Sequence, residues 1–165
     1  MGKRVRQPEP AQIRQDLERI GVPILGELTG SAIADGGDKV WLDAKTLLIG
    51  HGYRTNGEGI SQIRKMLAPF GVDVHAFDLP HFQGPSAVLH LMSVLSPISQ
   101  TRAVVYEPLA PIRLLEFLKS RNITWLSRSR SRHDGSTKSC TARAASVPTL
   151  RSGCRSTSAL RPSSG

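Results

Sequence analysis

A helix-to-strand junction recurs three times, in step, along this chain: LERIGVPI (Leu17 to Ile24), LAPFGVDV (Leu67 to Val74) and LKSRNITW (Leu118 to Trp125). From Gly21 to Gly71 is 50 residues, and from Gly71 to Asn122 is 51. A fixed period of that length marks a chain built from one repeated supersecondary unit, each copy covering its neighbour's apolar face, so the fold class follows from the repeat.

Within each period the residues read alike. The first helix is expected from about Glu9 to Ile20, after Pro8 and Pro10, with Ile13, Leu17 and Ile20 on one apolar stripe. The second is expected to open at a capping box in which Thr55 and Glu58 exchange bonds with each other's backbone NH. It buries Ile60, Ile63 and Leu67 and ends at Pro69. The third opens after Pro111 and buries Leu114, Leu115 and Leu118. Strand-like runs lie between the helices: Lys39 to Leu42 with Thr46 to Ile49, and Val88 to Leu95 with Arg102 to Tyr106. The unit is strand, strand, helix, strand, which makes this an α/β repeat and excludes an all-helical solenoid.

The pattern stops after Leu126, and the charge balance changes with it. Residues 1–126 carry 14 Lys+Arg against 12 Asp+Glu, whereas residues 127–165 carry 8 against 1. That second segment has eleven serines and no Ile, Phe, Met, Trp or Tyr, too little apolar surface to offset the entropy of ordering it. The sequence thus divides into an α/β domain over 1–126 and a basic, Ser/Arg-rich tail over 127–165, expected to be disordered. The basic pI belongs to the tail and says little about partners of the body, so nucleic acid is not expected as one. No apolar run approaches the roughly 18 residues of a membrane span, and no signal peptide precedes the first helix, so a cytoplasmic protein is expected. Both cysteines, Cys140 and Cys154, lie in the tail and give neither a disulfide framework nor a metal-ligand spacing; no metal or cofactor is expected.

Residues able to carry chemistry sit between the elements. Asp35-Gly36-Gly37-Asp38 sets two carboxylates around a diglycine just before a strand, which suits either close approach to a ligand or an ordinary turn. Arg54, beside a helix start in YRTN, is either a solvated side chain or a bidentate partner for a carboxylate. His90, inside the apolar run VLHLMSVL, is either a satisfied core residue or an acid/base.

Taken in order, the run ADGGDKVWLDAKTLLIGHGYRTNGEGISQIRKML (Ala34 to Leu67), followed by HLMSVLSPISQTRAVVYEPL (His90 to Leu109), resembles the amidinotransferase and dimethylarginine dimethylaminohydrolase family of guanidine-modifying enzymes. The resemblance spans residues 1–126 and rests on the acidic GGD turn, the RTN box opening a helix and the HLxS strand. It implies a fragment of a five-bladed α/β propeller, the pentein fold, with a polar site on the central axis. It also implies hydrolysis of arginine or a methylarginine to citrulline through a covalent thiouronium. A guanidinium carbon is deactivated by resonance and charge, and a thiolate nucleophile divides the reaction into two lower barriers. On this resemblance His90 is the acid/base, Asp35 the carboxylate that orients the site, and Arg54 the partner of the substrate's α-carboxylate. Asp38 joins Arg54 on the substrate side and secures the turn.

The chain departs from the family pattern in four places. Asp35 stands where the family usually has Glu, and Met92 stands where some members carry Asp two residues after the histidine. A preceding module with an Arg-Asp pair has no counterpart. The nucleophilic cysteine, in a Gly-Cys-Asn setting after the strand matching Ile123 to Leu126, has none either, because Cys140 in KSCTARA and Cys154 in SGCRSTS have different surroundings. The tail opens SRSRSR (Ser127 to Arg132), whose first four residues are what the Val-Glu-Val-Pro codons GTC GAG GTC CCG give when read one nucleotide late, so a frameshift is expected here. As written, the chain is expected to be inactive, with unclosed edges that favour a homo-oligomer. The competing expectation is an inert scaffold whose tail binds RNA or another polyanion.

Overall fold

The structure, a computed structural model, describes residues 8–127 apart from 85, 86 and 88. Of the expected tail only Ser127 is described, and it ends the last strand; the rest, Cys140 and Cys154 included, lies outside the described residues.

Helix α1 (Glu9–Arg19) leads through residues 20–38 into two copies of one unit. The first copy is β1 (Lys39–Asp43), β2 (Thr46–His51), α2 (Gly57–Leu67) and β3 (Asp73–Asp78). The second opens with a short helix α3 (Leu91–Val94), then β4 (Leu95–Ser99), β5 (Arg102–Val105), α4 (Ile112–Ser120) and β6 (Thr124–Ser127). Each copy is a three-stranded sheet in which an antiparallel hairpin is joined through its helix to a third strand lying parallel to the second. A parallel pair needs such a crossover because a tight turn cannot reverse the chain twice. The fold class is therefore α/β, as the repeat required.

The copies agree in detail. Both hairpins break register at the same place, between Trp41 and Asp43 and between Pro97 and Ser99. Gly21, Gly71 and Asn122, the three residues that set the period, all take left-handed backbone, at φ 74°, 64° and 55°. At the first and third junctions the bond closing the helix runs back five residues, from Val22 N to Leu17 O and from Ile123 N to Leu118 O, each 2.9 Å. That geometry requires φ > 0 at the residue before, which Gly adopts without strain and Asn tolerates.

Packing explains why the copies need one another. On one face of the first sheet, Leu47, Ile49 and Val74 meet Ile60 and Ile63 of α2. On its other face, Val40, Leu48 and Phe77 join a larger cluster with Leu91, Val94, Leu95, Ala103, Val105, Leu114 and Leu118 of the second copy. The Phe117 ring of α4 stands edge-on to Phe77, centroids 5.7 Å apart. The equivalent outer face of the second sheet, carrying Val104 and Leu126, has no such cover among the described residues, and Leu126 is 49% exposed.

Three expectations are corrected. The α1 stripe is not buried: Ile13 is 55% and Ile20 68% exposed. Helices α2 and α4 each lie on the hairpin that precedes them, and the described residues hold no hairpin before α1. Nor is a strand formed after it, the run Val22 to Ile24 having no pairing partner among the described residues. Residues 91–94 of the expected strand Val88 to Leu95 form a helical turn instead, β4 beginning only at Leu95. Finally, Thr55 is not the cap of α2. Asn56 is, its side chain accepting from Gly59 N at 2.8 Å, while the Glu58 carboxylate accepts from Gln62.

Candidate active site

The cap correction matters because it frees Thr55 for other work. The carbonyl oxygen of the Asn56 side chain accepts from both Gly59 N and Ile33 N, its amide donates to Ser31 O, and its backbone NH bonds Ile33 O. Farther along α2, Gln62 clasps Thr29 through both ends of its side-chain amide. Segment 29–33 is thus stitched to the helix so closely that a Cβ on Gly59 would lie 2.2 Å from Ile33 O. That stitching delivers Asp35 to the start of a short 3₁₀ turn, Gly36–Asp38, where its carboxylate accepts from Gly37 N at 3.0 Å.

Three chain segments converge on this turn. Asp38, 1% exposed, accepts from Thr55 Oγ1 at 2.7 Å on one carboxylate oxygen. On the other it accepts from His90 Nδ1 at 3.1 Å and Leu91 N at 3.3 Å. Arg54 Nη1 lies 3.1 Å from His90 Nε2 and 3.6 Å from Asp35 Oδ2. A carboxylate only accepts and a guanidinium only donates, so neutral His90 carries its proton on Nδ1 and presents a bare Nε2. The four residues singled out in sequence, Asp35, Asp38, Arg54 and His90, therefore form one cluster, tied together by hydrogen bonds and one ion pair.

Their placement is unequal. Asp38 is buried with both carboxylate oxygens accepting from protein donors, which suits fixing the imidazole and the turn rather than touching a ligand. Asp35, Arg54 and His90 are partly exposed. Gly37 is needed by His90: a Cβ there would stand 2.9 Å from the imidazole Cγ, whereas a Cβ on Gly36 would meet open space. The buried Nε of Arg54 has no hydrogen-bond partner among the described residues. An orphaned donor on a guanidinium is a place for an acceptor to come.

Sequence reasoning missed two contributors. One is Thr55, read as a helix cap; its alternative partner lies 17 residues away in sequence and leaves no local signal. The other is Lys39, whose pKa is lowered by burial, against the opposing pull of Asp35 and Asp38. A lowered pKa means the folded state binds fewer protons than the unfolded chain between the folded value and 10.5. Stability from this group therefore rises with pH across that alkaline window. Urea unfolding followed from neutral to alkaline pH should show this rise in the native chain and not in Lys39→Met, which should be the more stable of the two at neutral pH.

Beside the cluster, sharing the segments of Tyr53 and Leu89, opens a cavity of about 370 Å³ between the ends of β2 and β3. His51 pairs with Asp78 at its edge, 2.7 Å apart, and Tyr53 hydrogen-bonds His81. Among the described residues no three His, Cys, Asp or Glu are grouped to hold a metal ion, and no helix is long and apolar enough to cross a membrane.

No protein-family model matches the chain. It is 28% identical over 111 residues to the curated N(G),N(G)-dimethylarginine dimethylaminohydrolase of Streptomyces coelicolor, across 67% of this chain and 40% of that protein. Its fold matches a dimethylarginine dimethylaminohydrolase from Pseudomonas aeruginosa, solved as a cysteine-to-serine variant with citrulline. The TM-score is 0.58 at 21% identity, over 76% of this chain and 45% of the other. It also matches a dimethylarginine dimethylaminohydrolase solved as a histidine-to-glycine variant in an adduct with S-methyl-L-thiocitrulline. There the TM-score is 0.56 at 18% identity, over 75% and 50%. The chain spans no more than half the length of each of these three proteins. In sequence over that stretch and in fold, the described part of this chain is thus similar to dimethylarginine dimethylaminohydrolases.

Proposed function

We propose that the Asp35, Asp38, Arg54 and His90 cluster is part of the active site of a guanidine-modifying hydrolase that converts arginine or a methylarginine to citrulline. The observation that carries this reading is the convergence of three separate segments on one imidazole, with a guanidinium bearing an unpaired buried NH beside it. In the reaction a cysteine thiolate adds to the guanidinium carbon, and the carbon–nitrogen bond to the departing amine breaks. His90 in its protonated form gives that amine its proton, leaving an S-alkylthiouronium. His90 then takes one proton from water as the water adds, thiolate leaves, and the remaining hydroxyl proton passes to solvent as the ureido carbonyl forms, giving citrulline. Asp35 holds the substrate cation and Arg54 its α-carboxylate. A carboxylate that draws the guanidinium away from Nε2 also frees that nitrogen for proton transfer.

The nucleophile belongs, on this proposal, to a module following residue 126, within a five-bladed propeller of which residues 1–126 form a part; the segment 127–165 is then a shifted reading frame. The first test is to sequence the coding DNA past codon 165 and translate all three frames, looking for a strand pattern with Gly-Cys-Asn. The chain as given should form no citrulline from arginine or methylarginine, and turnover by it alone would refute the division of the site. A chain restored in that frame should turn over, and His90→Ala should slow it by about 10²–10⁴-fold, the usual worth of a positioned acid/base. Unchanged turnover in that variant would remove His90 from the mechanism.

A further inference from the structure

We infer that Thr55 is a positioning residue for His90 and acts through Asp38. It rests on the reading of His90 as the acid/base, and it adds a residue whose side chain touches neither His90 nor the cavity beside it. Thr55 is fully buried. Its hydroxyl has one proton, which it gives to Asp38 Oδ2 at 2.7 Å, and a lone pair that accepts from Asp35 N at 3.0 Å. One hydroxyl therefore fixes two things: the orientation of the carboxylate that holds His90 Nδ1, and the position of the backbone that carries Asp35.

A cap would not need this geometry. The N-terminus of α2 is already served by Asn56, so the hydroxyl is surplus to the helix and committed to the turn. With Oδ2 tied to Thr55, Oδ1 is left to accept from His90 Nδ1 and Leu91 N together. Without that tie the carboxylate can rotate about its Cβ–Cγ bond, and selection of the Nδ1-protonated imidazole over the Nε2-protonated form that free side chains favour then rests on the Arg54 Nη1 donor at Nε2 alone. The consequence is chemical: only the Nδ1–H form presents a bare Nε2 to a proton source.

The test reads the imidazole itself. The full chain, with histidine labelled in both ring nitrogens, is examined by two-bond ¹H–¹⁵N spectroscopy at neutral pH, with His90 assigned by loss of its signals in His90→Gln. The native chain should show His90 as the Nδ1–H tautomer. In Thr55→Val, which keeps the shape and removes the hydroxyl, the ratio of Nδ1–H to Nε2–H should fall by about fivefold, the worth of one ordinary hydrogen bond. Thr55→Ser should restore it. A Thr55→Val protein that melts earlier with an unchanged tautomer ratio would make Thr55 purely structural and overturn the proposal. Should Thr55→Val not fold, the native spectrum still decides, because an Nε2–H tautomer there contradicts the network outright. None of these readouts requires turnover, so they stand apart from the citrulline assay: either reading can fail while the other survives.

Discussion

Asp38→Ala is expected to cost about 3–5 kcal/mol of folding free energy, the range for removing one partner of a buried charged network, and Asp38→Asn distinctly less. The alanine leaves Thr55 Oγ1, His90 Nδ1 and Leu91 N without their acceptor in a site where Asp38 itself is 1% exposed. Each stranded donor carries a desolvation penalty of roughly 1–3 kcal/mol, softened where the side chain can turn to water. Asparagine keeps the shape and one acceptor. Its carbonyl oxygen can serve His90 and Leu91 while its NH₂ donates to the second lone pair of Thr55 Oγ1, so only the Thr55 hydroxyl proton loses its acceptor. Urea unfolding of the three proteins checks this order. Equal losses for the alanine and the asparagine would mean that the charge, and not the count of accepted bonds, holds the turn. A loss under about 1 kcal/mol for the alanine would mean that water enters and that the site is not closed.

The repeat and the cluster were legible to different depths because different ranges of interaction write them into the sequence. Gly21, Gly71 and Asn122 stand out because a left-handed junction restricts the residue that occupies it, and that local constraint recurs at each period. Helices α2 and α4 were legible because their apolar faces are buried on the sheets beneath them. Helix α1 has the same stripe and fully buries none of it, Leu17 being half-buried, since the stripe records what a helix could cover and is silent on whether anything lies there. The run at Leu91 to Val94 was read as strand because its residues are apolar throughout; a buried helical turn and a buried strand look alike over so few residues. In the site, residue types and order pointed to Asp35, Asp38, Arg54 and His90. The division of labour between the two carboxylates did not show, because it depends on which of them the fold buries. Thr55 escaped for a related reason: threonine followed three residues later by glutamate is a good local cap, and a long-range bond to Asp38 outcompeted it while Asn56 took the cap.

Leu48→Ala should destabilise the protein by about 2–5 kcal/mol, the usual range for a buried leucine, and should do so in a single transition that unfolds both copies together. Leu48 is fully buried and sits on β2, yet the cluster it joins is made mostly of residues from the second copy. Its neighbour in sequence, Leu47, points the opposite way into the cluster with α2 of its own copy. The pair thus separates two kinds of cohesion on one strand. Leu47→Ala removes packing within the first copy, and Leu48→Ala removes packing between copies. If the copies fold as one body, both variants, made in a Trp41→Phe background so that Trp125 alone fluoresces, lose the far-ultraviolet signal and the Trp125 fluorescence of the second copy at the same denaturant concentration. If they are independent, Leu47→Ala leaves the Trp125 transition at its native midpoint and only the first copy melts early. The single transition is expected because the first copy's own cluster with α2 covers only one face of its sheet: on the other, Val40, Leu48 and Phe77 are covered by the second copy, and the same residues complete the burial of Leu114 and Leu118. The site follows the same logic. Asp38 comes from the turn before the first copy and His90 from the start of the second, so their 3.1 Å contact exists only while the two copies remain packed.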